Sequence, residues 1–175
     1  MFTIVHNQKE KPLQSLIAEA EHVDCTSKDM KNIFMSSKSI PEPVLIQEVK
    51  MIGLYRLVFT DNNVYLVQMY NCREARVPNM KLTVSVPFQP WQNKKVIFHI
   101  KDGEKVKPVY DCTHMAQYSL IQKSEKGSHL EVKGKTEENS FTTSTLVKIE
   151  RLQEYTMCYS QNNVYVISRP IVRYG

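Results

Sequence analysis

Residues 46–68 and 146–168 are two versions of one element, offset by 100 positions. Tyr55 matches Tyr155, and Asn62-Asn63-Val64-Tyr65 matches Asn162-Asn163-Val164-Tyr165. Around these identities Ile46/Leu146, Val49/Ile149, Ile52/Leu152, Phe59/Tyr159, Thr60/Ser160, Leu66/Val166 and Val67/Ile167 keep their chemical character. Each copy reads as a strand, an Asn-Asn turn and a return strand, because Asn tolerates the left-handed conformation that tight hairpins need. A period this long is a duplication of domain-sized pieces and not a solenoid. The alternative is chance agreement between two ordinary hairpins, since only five positions are identical.

The strand over 44–59 is apolar on both faces and is expected to be covered on both sides, with Gly53 marking a bulge or bend. Leu82, Val84, Val86 and Phe88 alternate with polar positions, so 81–86 reads as a half-buried strand. Val96, Phe98 and Ile100 alternate in the same way. Asp102-Gly103 then signals a hairpin whose partner strand, Lys105 to Tyr110, carries Pro108 and is expected at a sheet edge. Residues 115–122 and 129–133 complete the β signal.

Only the N-terminus suggests helix. Pro12 suits a first helical turn, and Leu13, Leu16, Ile17 and Ala20 follow at helical spacing. Thr26 and Asp29 resemble a capping box before Met30, Ile33 and Phe34. The expected fold is therefore mainly β, an antiparallel sheet or two-sheet sandwich with a pseudo-two-fold duplication and one or two N-terminal helices; α+β is the alternative class. The expected division is a helical segment over 1–40 packed on a β domain over 41–175.

A chain of 175 residues with a net charge of +5 is large enough to bury a core unaided. No segment approaches the roughly 18 apolar residues of a membrane span, and no secretory signal opens the chain. The expected compartment is the cytosol of a cell or an infected host. Cys25, Cys72, Cys112 and Cys158 lie far apart, without a chelating or redox pair. They read as buried thiols.

Candidate chemistry is sparse. Cys112 and His114 could share a metal with Cys72 or His99, but no Cys-x₂₋₄-Cys or His-x₃₋₅-His unit supports them. No nucleophile elbow or cysteine-protease signature is present. Glu137, Glu138, Glu150 and Glu154 have no counterparts at Lys50 and Leu54, and read as a solvated strand edge. We therefore expect no catalytic residue, metal or cofactor.

Two binding readings remain. Tyr65, Tyr70, Tyr155 and Tyr165, with Met69, form Tyr/Met-rich strands of a kind enriched at protein interfaces. They suggest a non-enzymatic protein-binding protein: an inhibitor, an adaptor or an assembly component, for example of a viral particle. The second reading is a nucleic-acid-binding accessory protein. Its lysine hairpin over 94–110 sets Lys94, Lys95, Lys101, Lys105 and Lys107 near Trp91. An enzyme with an unrecognised site is the third. A protein partner or self-assembly is the expected interaction, nucleic acid the other, and no membrane.

Overall fold

The computed structural model describes residues 2–16, 23–27, 29, 31–68, 72–74, 96–113, 116–134, 137 and 140–175. The chain forms two compact units, Met1–Val86 and Pro87–Gly175. The boundary falls between the two copies of the repeated element.

In the first unit, β1 (Thr3–His6) and β2 (Lys9–Leu16) form a hairpin. Its turn residues, Asn7 and Gln8, both have positive φ, at 51° and 61°. Strands β3 (Val23–Thr26), β4 (Phe34–Ser37) and β5 (Val44–Leu45) follow, then the meander β6 (Glu48–Ile52), β7 (Tyr55–Phe59) and β8 (Val64–Gln68), and last β9 (Cys72–Glu74). One sheet runs β1, β2, β8, β7, β6, with β2 and β8 parallel. The other runs β5, β4, β3, β9, with β3 and β9 parallel.

The second unit repeats this plan. Strands β10 (Val96–Asp102) and β11 (Lys105–Asp111) are the hairpin, followed by β12 (Ala116–Ser124), β13 (Gly127–Gly134) and β14 (Phe141–Thr142). The meander is β15 (Lys148–Leu152), β16 (Tyr155–Tyr159) and β17 (Val164–Ser168), and β18 (Ile171–Tyr174) closes the chain. The sheets run β10, β11, β17, β16, β15 and β14, β13, β12, β18. The parallel pairs β11/β17 and β12/β18 stand where β2/β8 and β3/β9 stand in the first unit. Among the described residues the repeated plan thus covers nine strands in each unit, far more than the matching hairpins.

Each unit is a two-sheet sandwich with its own core. Leu16, Val58, Tyr65 and Val67 of one sheet pack with Val23, Cys25 and Met35 of the other. Cys112, Cys158, Tyr165 and Ile167 pack with Ile121, Leu130 and Val132 in the second unit. The opposite faces of the larger sheets are buried too, at Leu57, Phe59 and Leu66 and at Met157, Tyr159 and Val166. That is why the strands carry apolar residues at successive positions rather than in alternation.

Three expectations need correction. No α-helix occurs among the described residues: Pro12 to Leu16 lie in β2 and Phe34 opens β4. Pairing with β1 on one side and β8 on the other overrides the helical spacing there. Asp29 does not cap a helix. Its Oδ1 accepts from the backbone N–H groups of Lys31 (3.0 Å) and Asn32 (2.8 Å), which makes a local Asx loop.

Second, the segment 44–59 is not one strand. Gly53, at φ 58°, and Leu54 form a tight turn between β6 and β7, and Gln153 takes nearly the same φ, 57°, at the equivalent turn. Third, β11 is not an edge strand, since β10 and β17 flank it. Pro108 sits one residue before Val109, where pairing with β17 begins, so its missing donor falls outside that ladder. Pro12 precedes Leu13, the first partner of β8, in the same way. The strand expected over 81–86 lies outside the described residues.

Candidate functional site: a buried lysine in each unit

The sequences Lys9-Glu10-Lys11-Pro12 and Lys105-Val106-Lys107-Pro108 occupy the same place in the two hairpins. Each second lysine is buried, Lys11 at 1% exposure and Lys107 at 3%. Each reaches the Asn-Asn turn of its own meander. Lys11 Nζ donates to the Thr60 carbonyl at 2.7 Å, and Lys107 Nζ to the Ser160 carbonyl at 2.9 Å. The turns are alike, with Thr60 N–H to the Asn63 carbonyl and Ser160 N–H to the Asn163 carbonyl, both at 2.9 Å. Lys9 and Lys105 reach over the top to the Oδ1 atoms of Asn62 and Asn162. The repeated Asn-Asn turn is thus the landing point of two lysines from the hairpin.

What surrounds the buried ammonium differs in sign. Beside Lys11 stands His6, with Nδ1 2.8 Å from Nζ, and beyond it Glu48 Oε2, 2.9 Å from His6 Nε2. Beside Lys107 stands Asp102, with Oδ2 2.7 Å from Nζ, and beyond it Lys148, 2.8 Å from Asp102 Oδ1. The next pair is inverted as well: Lys50 faces Glu48, and Glu150 faces Lys148. The ring behind changes from Phe59 to Tyr159, whose hydroxyl donates to Glu150 Oε2 at 3.1 Å. Lys148 lies 4.3 Å from the Tyr159 ring centre.

The electrostatics follow. Burial holds the Lys11 ammonium below its ordinary pKa, partly offset by the Asp61 charge. Hydrogen bonds from Lys107 and then Lys148 hold the Asp102 carboxyl low, and the bond to Asp102 raises Lys148. Burial, reinforced by Glu150, pushes the Tyr159 phenol up.

Neither lysine is placed to do chemistry on a substrate, because its ammonium is enclosed and its bonds go to the chain's own turn. Among the described residues no three His, Cys, Asp or Glu side chains gather as a metal site. The buried lysines are structural pins. They satisfy a turn carbonyl that would otherwise be buried without a partner.

The residues singled out from sequence are scattered. Tyr65, Tyr155 and Tyr165 are buried; Tyr65 and Tyr165 pack in the two cores, and Tyr110 stacks on Tyr165 at 5.8 Å. Tyr70 and Met69 lie outside the described residues, as do Trp91, Lys94, Lys95 and His114. Of the lysine hairpin, Lys105 is on the surface, Lys101 is half-buried and Lys107 is enclosed. Cys112 and Cys158 are buried thiols, and burial pushes Cys158 up to about 12. Sequence comparison at a fixed offset of 100 misses the lysine pins, because the hairpins lie 96 positions apart. The signal was a repeated Lys-x-Lys-Pro.

No helix among the described residues is long and apolar enough to cross a membrane. Comparison of the chain with protein-family models, with curated proteins and with solved structures gives no match.

Proposed function

We propose that this is a non-enzymatic protein-binding protein and that its contact surface is the edge of β18, which no described strand other than β12 pairs. The observation that carries this reading is the difference between β18 and the end strands β6, β15, β5 and β14. The edges β6 and β15 bear Glu48, Lys50, Lys148, Glu150 and Arg151, and β5 and β14 are two residues long. Charge and shortness are the usual protections against unwanted strand pairing. Strand β18 has four residues, three of them apolar, with Ile171 53%, Val172 43% and Tyr174 77% exposed. An extended segment of a partner protein can add there, with backbone bonds for affinity and Ile171 and Tyr174 for selectivity. The buried thiols Cys25, Cys112 and Cys158 fit a reducing compartment such as the cytosol of a cell or infected host.

The test compares the wild type with a variant carrying Ile171→Lys and Tyr174→Lys. Partner capture from the native source should fall at least tenfold, with the thermal midpoint unchanged. Retained capture by that variant rejects β18. A concentration-dependent dimer abolished by the same changes would identify a second copy as the partner. Capture that instead tracks Lys101→Ala with Lys105→Ala, and falls with salt, would favour nucleic acid.

A further inference from the structure

The two buried lysines are engaged, but among the described residues the Nε of a third buried cation is not. Arg56 lies in the middle sheet position of β7, 4% exposed, and its Nε is enclosed without a hydrogen-bond partner. Its direct cross-strand neighbours are Met51 in β6 and Val67 in β8. Val67, and Val58 two positions along β7, belong to the core between the sheets, so Arg56 stands on that inner face. No described residue gives its guanidinium a carboxylate. The second unit has Thr156 at this position, opposite Ile167, and no charge.

A buried charge without a counter-charge is costly. A lysine can relieve that cost by losing its proton; an arginine cannot. The planar guanidinium is suited to oxyanions, which it holds through paired N–H donors. Arg56 is the second residue of β7, close to the Gly53–Leu54 turn at the end of the strand. We propose that Arg56 is the receptor of a small oxyanion, a carboxylate or phosphate group, at the inner rim of the first unit. The site is separate from β18 and does not depend on the protein-binding reading.

The experiment is thermal unfolding of the whole chain in inorganic phosphate, and separately in acetate, from 0.1 to 20 mM at constant ionic strength. The expected result is a midpoint that rises with the logarithm of anion concentration, by about 3–6 °C at the highest concentration of the preferred anion. Arg56→Met keeps the stem and removes the charge. It should melt higher than the wild type in anion-poor buffer and show no response to the anion. Lys101→Ala with Lys105→Ala should leave the response intact. Equal responses in the wild type and Arg56→Met, or none in either, would overturn the proposal. So would an Arg56→Met protein that melts below the wild type in anion-poor buffer, because a counter-charge from the chain itself would then already be in place.

Discussion

The two units bury a lysine at the same place by opposite means. In the first, the ammonium lies against His6 Nδ1, the Thr60 carbonyl and the Gln47 amide oxygen, and His6 in turn meets Glu48. In the second, it meets Asp102 directly, and Lys148 and Glu150 extend the pair into a chain of alternating sign. The geometry of the pin is kept while the charges at 48 and 50 are exchanged with those at 148 and 150. What the two units share is therefore a donor for the turn carbonyl, with charges of alternating position around it. Which residue carries which sign is free to change, provided neighbours change together.

The strongest way to break this comparison is to remove each pin. Lys107→Met takes one of two cations from Asp102 and leaves the Ser160 carbonyl without its donor. A loss of about 3 kcal/mol is expected, as for the breaking of a buried pair. Lys11→Met also leaves a turn carbonyl without its donor but no carboxylate, and it removes an ammonium that burial already disfavours. About 1–2 kcal/mol is expected there. Denaturant unfolding gives both values. Equal losses would mean that the carboxylate beside Lys107 adds nothing.

The exchange of signs can be tested directly. Lys148→Glu alone sets a carboxylate beside Asp102 and Glu150, and should cost about 1–2 kcal/mol after allowance for partial solvent screening. Adding Asp102→His restores the His–Glu pairing of the first unit at 102 and 148, with Glu150 still standing where that unit has Lys50, and should recover part of that loss. A coupling energy near 1 kcal/mol in the double-mutant cycle is the expected signature. Strict additivity would show that the two positions do not act together.

Acid should separate the units as well. The Asp102 carboxyl is held below its ordinary pKa by Lys107 and Lys148. A carboxyl whose folded pKa is depressed stabilises the fold above its unfolded value and loses that contribution as pH falls through the folded one. The part of stability removed by Asp102→Asn should therefore be constant above about pH 5 and shrink below about pH 4. A difference that instead grows on acidification would refute the role given to Asp102.

How much of this was legible depends on how local the signal is. The Asn-Asn turns announce themselves because the turn residue type is set by local backbone geometry. The hairpin at Gly103, φ 63°, is legible for the same reason. The first hairpin was not, because Asn7 and Gln8 adopt positive φ without glycine. The buried lysines could not be read either. A lysine in a polar stretch looks solvated until β2 is known to lie beside β8, about fifty residues further on. Tyr65 and Tyr165 mislead in the opposite direction, since an interface tyrosine and a core tyrosine have the same sequence pattern. Arg56 is invisible for the same reason as the lysines: burial is a tertiary fact.

The turns at 53 and 153 offer a smaller test. Both first residues take a left-handed φ, but one is Gly53 and the other Gln153. A side chain costs about 1–2 kcal/mol in that conformation when nothing compensates it. Gly53→Gln should therefore destabilise the first unit by about 1 kcal/mol. Gln153→Gly should gain less than that, because the added freedom of glycine in the unfolded chain offsets part of the relieved strain. Hydrogen exchange localises each change to its unit. A gain at 153 equal to the loss at 53 would mean that this entropic offset has no energetic weight.

The smallest expected effect concerns Cys158, which stands where the first unit has Val58. Both side chains are enclosed in the core of their own unit. Cys158 should therefore behave as a small apolar group, and Cys158→Val should change stability by less than about 1.5 kcal/mol at neutral pH. The difference should widen with alkali. Burial pushes the thiol up to about 12, so the folded chain retains a proton that the unfolded chain gives up near pH 8.5. An acid with a raised folded pKa contributes stability below its unfolded value and loses it as pH rises from there toward the folded value. The wild type should accordingly weaken relative to Cys158→Val between about pH 8.5 and 12. A thiol reagent should modify Cys158 only on unfolding. Fast modification of the native protein, or parallel stability curves through that range, would show that the thiol is not enclosed as Val58 is.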